Sequence, residues 1–153
     1  MRGTLVCAVT DGAESAQAVA LGAELSERLG LRLVLAHAVD GLDRAAVGDE
    51  SVTMKADREG AERRLTRLAD DHRVAHRAER RVGVGEPAAL LGQIAAEEAA
   101  DVIVVGARAR GWGKRLESRL ADELGAETPV PVLIAPPRRS RKRGDAVESG
   151  RRR

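Results

Sequence analysis

Asp101 to Gly113 reads DVIVVGARARGWG, and it holds the residue types best suited to anion chemistry. Four β-branched apolar residues lead into Gly106, and the loop that follows carries Arg108, Arg110, Gly111 and Gly113. A short, wholly apolar run bounded by turn residues predicts a buried parallel strand. Glycines let backbone N–H groups approach an anion, and guanidinium groups add charge and paired donors. In open α/β sheets the loops at the carboxyl ends of the strands bind such ligands.

Other possible chemistries are thinner. His72 and His76 stand four apart, the spacing of two metal ligands on one helix face. No carboxylate or cysteine at ligand spacing completes a set, so two solvated histidines at a helix end are expected. Cys7 is the single cysteine, which rules out an intramolecular disulfide, and it falls in the first predicted strand as a buried thiol. His37 is read as a satisfied sheet-end residue. No Ser/His/Asp or Cys/His nucleophile constellation is visible, so the expectation is a protein that is not an enzyme, with no metal.

Five strands and four helices must position these residues. Thr4–Val9 is strand one. Ala18, Leu21, Leu25 and Leu29 recur at helical spacing, and Gly30 ends that helix. Leu31–Val39 is strand two. A helix from about Met54 to Asp71 turns Ala61, Leu65 and Leu68 inward. Arg77–Val84 is strand three, charged enough for a sheet edge. Glu86-Pro87 opens a helix with Leu91, Ile94 and Ala95 inside. Val102–Val105 is strand four. Leu116, Leu120 and Leu124 mark a fourth helix ended by Gly125, and Val132–Ala135 is strand five. Strict alternation of strand and helix implies a parallel sheet with helices on both faces.

The bulk composition agrees. The 153 residues suit one domain, here 1–137, with a basic, disordered tail over 138–153. Phe and Tyr are absent and Trp112 is the only aromatic, which argues against base-stacking platforms. The tail holds eight basic and two acidic residues, a net +6. Residues 1–137 therefore carry −4 of the overall +2. Two readings of the tail stand: a solubilising segment, or a salt-sensitive, non-specific contact with nucleic acid. No apolar run approaches the roughly 20 residues of a membrane span, and the chain enters a strand at once without a secretory signal. These features point to the cytoplasm and to no membrane partner.

Three other sites known on five-stranded α/β frames do not fit these residues. A phosphoacceptor domain needs an Asp after strand three, where Gly83-Val-Gly-Glu-Pro87 stands instead. A flavodoxin-type loop needs more hydroxyls than Thr10-Asp-Gly-Ala-Glu14 provides. Gly83 to Ala88 fits the dinucleotide glycine pattern only weakly, and after the wrong strand.

Four stretches together resemble the universal stress protein family, over residues 3 to 135. They are Leu5 to Gly12 with Glu14-Ser15, Leu33 to His37, and Val84-Gly-Glu-Pro87 before an Ala/Leu-rich helix. The fourth is Val102 to Gly111 joined with Pro129 to Ile134. The resemblance implies a Rossmann-like sheet in the order 3-2-1-4-5, homodimers through the strand around Val132–Ala135, and a binding or regulatory role in stress. An unidentified regulatory protein is the implied further partner.

Nucleotide-binding members of that family carry Gly-x-x-Gly and, further along, Gly-Ser or Gly-Thr. Gly106 matches the first glycine, and Ala109 stands at the second. Counted back from Pro131, the Gly-Ser pair falls on Ser118-Arg119. The family's acidic position aligns with Thr10, with Asp11 beside it. By this resemblance phosphates would lie at Gly106, Arg108 and Gly111, ribose near Asp11 and adenine against Val39. Arg110, Lys114 and Arg115 add charge nearby. Two outcomes stay open: weak or no ATP binding, with Arg108 to Arg119 a solvated basic loop and helix, or an ATP-binding switch with slow hydrolysis.

Overall fold

The structure, a computed structural model, describes residues 2–39, 50–110 and 115–137; for 50–54, 56, 109, 110 and 115–117 it describes the backbone alone. The expected tail and the loop residues Gly111 to Lys114 lie outside the described residues.

A five-stranded parallel sheet runs β3-β2-β1-β4-β7, which is the 3-2-1-4-5 order read from the sequence. Its strands are β1 (Thr4–Val9), β2 (Arg32–Val39), β3 (Ala78–Val84), β4 (Val102–Gly106) and β7 (Val132–Ala135). Two further strands, β5 (Arg108–Arg110) and β6 (Arg115–Glu117), pair antiparallel as a separate ribbon.

The helices are α1 (Ser15–Leu29), α2 (Glu50–Asp71), α3 (Pro87–Glu97) and α4 (Arg119–Glu127). β1 is central and buried at all six positions, so alternate residues feed opposite cores. Leu5, Cys7 and Val9 join Leu33, Leu35 and Val104 beneath α1 and α2, which contribute Ala18, Val19, Leu65 and Leu68. Val6 and Ala8 join Val34, Ala36, Ile103 and Val105 beneath α3 and α4, which contribute Leu91, Ile94 and Leu124.

Local signals set the ends of the elements. Gly30 adopts φ 66°, the left-handed C-cap that only glycine takes without strain, and its N–H donates to the Ser26 carbonyl. Glu86 caps α3 by accepting from the N–H groups of Ala88 and Ala89, with Pro87 at the first helical position.

Three expectations need correction. Leu116 belongs to β6 and not to a helix, because Ser118 is the residue able to cap and α4 begins after it. Gly125 lies inside α4, which runs on to Glu127 and ends at Thr128 in an extended conformation. Leu29 is exposed at the last turn of α1, although it shares the spacing of the inward residues.

Candidate functional site

The carboxyl ends of β1 and β4 carry the residues singled out from the sequence. Around them lies a cavity of about 370 Å³ lined by Thr10, Glu14, Ser15, Gly106, Arg108, Ser118 and Arg119, with Ala8 and Leu120 as its apolar part. Five predicted residues therefore meet here: Thr10, Gly106, Arg108, Ser118 and Arg119.

The turn between β1 and α1 is tied by its own side chains. The Thr10 N–H donates to Ser15 Oγ at 2.7 Å, and the Ser15 hydroxyl donates back to the Thr10 carbonyl at 3.0 Å. The Gly12 N–H donates to Thr10 Oγ1 at 3.2 Å. Glu14 occupies the N-cap position of α1, yet its side chain makes no cap there. Its carboxylate instead accepts from Arg108 Nε at 3.0 Å and from the Thr10 hydroxyl at 3.2 Å. Burial alone would raise the Glu14 pKa. The hydrogen bond and charge of Arg108, with bonds from its own backbone and Thr10, outweigh that and hold it below the usual carboxylate value.

Among the described residues, each cation lining the cavity has a carboxylate partner. Arg108 pairs with Glu14, and Arg119 reaches Glu123 Oε1 at 3.0 Å with its side chain 93% exposed. The cavity is thus polar and close to neutral in its own pairs.

Two site assignments change. The small hydroxyl expected beside a helix N-terminus is Ser118 itself. Its Oγ accepts from the Ala121 N–H at 3.1 Å, which leaves the hydroxyl proton free to donate to a ligand. Arg119 stands one residue on, in the first turn, and does not fill that place. Ala109 is no loop residue: it sits in β5 opposite Leu116. Gly111 lies outside the described residues.

Asp11 and Val39 line a second cavity of about 390 Å³ with His37, Asp57, Gly60, Ala61, Arg63 and Arg64. The β1–α1 turn contributes to both cavities, Asp11 to this one and Thr10, Glu14 and Ser15 to the other. His37 is buried, with Nε2 3.3 Å from Asp11 Oδ1 and no partner on Nδ1. Burial depresses its pKa, the Arg64 charge adds to that, and Asp11 opposes both. At neutral pH His37 is a neutral ring donating from Nε2.

Sequence reasoning missed Glu14 as a wall of the site, and it missed Arg64. Arg64 donates from α2 to the Thr10 carbonyl at 2.8 Å and to the Gly12 carbonyl at 2.9 Å. A signal for it existed: Arg64 stands three residues after Ala61 and four before Leu68, on the edge of the buried face. His72 Nδ1 donates to the Leu68 carbonyl at 2.9 Å, a helix-end bond. Among the described residues no three His, Cys, Asp or Glu side chains come together around a metal position, and no helix is long and apolar enough to cross a membrane.

Comparison with known proteins follows the same lines. The family model described as "Usp: Universal stress protein family" matches residues 1–136. No curated protein matches the chain. A solved universal stress protein family structure from Burkholderia pseudomallei is similar at TM-score 0.67 and 22% identity, covering 88% of this chain and 96% of that one. The universal stress protein from Archaeoglobus fulgidus in complex with dAMP is similar at TM-score 0.59 and 19% identity, over 86% and 96%. A universal stress protein in complex with cAMP gives 0.58 and 22%, over 87% and 95%. At these identities the likeness to solved structures is one of fold.

Proposed function

The chain belongs to the universal stress protein family, and from that premise we propose a cytoplasmic, homodimeric regulatory module of the stress response that holds adenine nucleotides weakly and turns none over. Related structures in complex with cAMP and dAMP support an adenine nucleotide as the ligand class, and the cavity at the carboxyl ends of β1 and β4 is where an open α/β sheet binds one. In this reading phosphates face Arg108 and Ser118, and the nucleoside lies toward Asp11 and Val39.

One observation carries the weakness of binding. The stretch that would open backbone N–H groups to phosphates is a strand, Arg108–Arg110, paired with Arg115–Glu117. In a paired strand the peptide groups lie in the plane of the ribbon and alternate ones are spent on the partner, so they do not converge on an anion, and Ala109 adds a Cβ where a glycine would allow close approach. The ion pair of Arg108 with Glu14 adds to this, since a phosphate must compete with a carboxylate already in place.

A second reading, an ATP-responsive switch, is favoured by Ser118. Its spare hydroxyl proton and the α4 N-terminus line the same cavity as Arg108.

Calorimetric titration with ATP and dAMP distinguishes the two, using protein unfolded and refolded to strip any carried nucleotide. The first reading expects a Kd on the order of 1 mM or weaker, and at least about tenfold tightening in Ala109→Gly. Micromolar binding by the natural sequence would overturn it in favour of the switch.

A further inference from the structure

The Arg64 side chain ties α2 to the wall of the cleft. The Arg64 fork reaches two carbonyls two residues apart, Thr10 and Gly12, more than fifty positions earlier in the chain. The turn holding those carbonyls is shared by both cavities. Thr10, Glu14 and Ser15 face one of them, and Asp11 faces the other, where Arg64 is itself a lining residue. The Gly12 carbonyl also accepts from the Ser15 N–H at 3.2 Å, so Arg64 joins the first turn of α1 to α2 through one oxygen.

We propose that Arg64 is a positioning residue that fixes the shared wall from α2, so that ligand binding in the cleft and the seating of α2 on the β1–α1 turn are coupled. The proposal rests on the reading of this cleft as the ligand site. A planar guanidinium holds two acceptors at a set spacing, whereas a lysine ammonium is a point charge on a flexible stem. The turn's internal bonds run from residue 10 to residue 15 and fix its shape. The Arg64 bonds to the turn's carbonyls come from α2 and tie the turn to that helix. Coupling is reciprocal: if the Arg64-bound turn tightens a ligand, the ligand tightens the Arg64-bound turn by the same factor.

Hydrogen-exchange mass spectrometry on the full chain tests this, with dAMP as the probe ligand. The natural sequence is compared with Arg64→Ala, Arg64→Lys and, as a control on the exposed side of the same helix, Arg67→Ala. Without ligand, Arg64→Ala should speed exchange across residues 10–15 by about tenfold or more while the strands keep their protection. Arg64→Lys should recover part of this, and Arg67→Ala should match the natural chain. Binding of dAMP should weaken by about tenfold in Arg64→Ala, and dAMP should slow exchange in α2 of the natural protein but not of that variant. An unchanged turn in Arg64→Ala overturns the proposal, as does a loosened turn with undiminished dAMP binding. If the natural chain binds no dAMP, the functional reading falls, and the ligand-free exchange still decides whether Arg64 sets the wall. Should Arg64→Ala fail to fold, Arg64→Lys carries the same comparison.

Discussion

Gly106 and Glu14 touch backbone to backbone: a Cβ built on Gly106 would run into the Glu14 carbonyl oxygen, with the carbonyl carbon at 2.6 Å and the Glu14 Cβ at 2.8 Å. The glycine at the end of β4 is therefore demanded by the turn packed against it, before any phosphate is considered. Gly106→Ala should cost about 2 to 3 kcal/mol, since neither backbone can yield cheaply. Urea unfolding of the two proteins measures this, and a change under about 0.5 kcal/mol would show that the contact relaxes freely.

Cys7 is closed to chemistry. Its thiol is fully buried under α1 and lies 3.5 Å from the Ala18 carbonyl, and burial pushes its pKa up to about 12. The native protein should leave a thiol reagent unreacted at pH 8, and denaturant should release one equivalent. Rapid labelling of the native state would contradict the burial.

The far end of the sheet is held by charge. Glu98, just past α3, accepts from Arg32 of β2 at 2.7 Å and from Arg81 of the edge strand β3 at 2.6 Å. The hydrogen bond from Arg81 is the main cause of its lowered pKa. Glu98→Ala should cost about 1 to 2 kcal/mol, discounted because both arginines are more than a third exposed. The loss should shrink in 1 M salt, and a salt-independent loss would assign it to packing instead.

The sheet order and both cores were legible because buried parallel strands announce themselves as apolar runs, and Ala61, Leu65 and Leu68 keep helical spacing on α2. The ribbon was not. Arg108–Arg110 and Arg115–Glu117 are three residues each, too short for periodicity to separate strand from helix, and Leu116 falls in phase with Leu120 and Leu124 by coincidence. Gly125 misled for a related reason: a glycine near a helix end signals a stop only where the chain turns left-handed, and here the chain continues. Thr10, Gly106, Arg108 and Ser118 could be placed together because each stands at the carboxyl end of a strand or the start of the next helix. Arg64 reaches the site from mid-helix, across more than fifty residues, a distance that motif spacing does not encode.

β7 is the sheet edge beside β4, and it leaves Leu133 and Ile134 each 40% exposed. An apolar edge strand is a template for pairing with another copy. The proposed dimer uses this edge, so Leu133→Arg should halve the mass measured by light scattering while leaving the circular dichroism spectrum unchanged. A dimer that survives the substitution would move the interface elsewhere.

His37 makes stability depend on pH in a definite direction. Its folded pKa lies below the ordinary 6.5, chiefly through burial, so between those two values the unfolded chain binds the extra proton. The contribution is whole above about pH 7 and is lost as pH falls from about 6.5 through the folded pKa. Protonation would also place a second N–H on Nδ1, which has no acceptor. The slope contributed is at most about 1.4 kcal/mol per pH unit. Lowered carboxylates such as Glu14 add their own loss only nearer the ordinary 4.5. Denaturation midpoints between pH 7.5 and 5 should therefore fall in the natural protein and flatten in His37→Asn, whose side chain does not titrate. Parallel curves for the two proteins would assign the pH dependence to other groups.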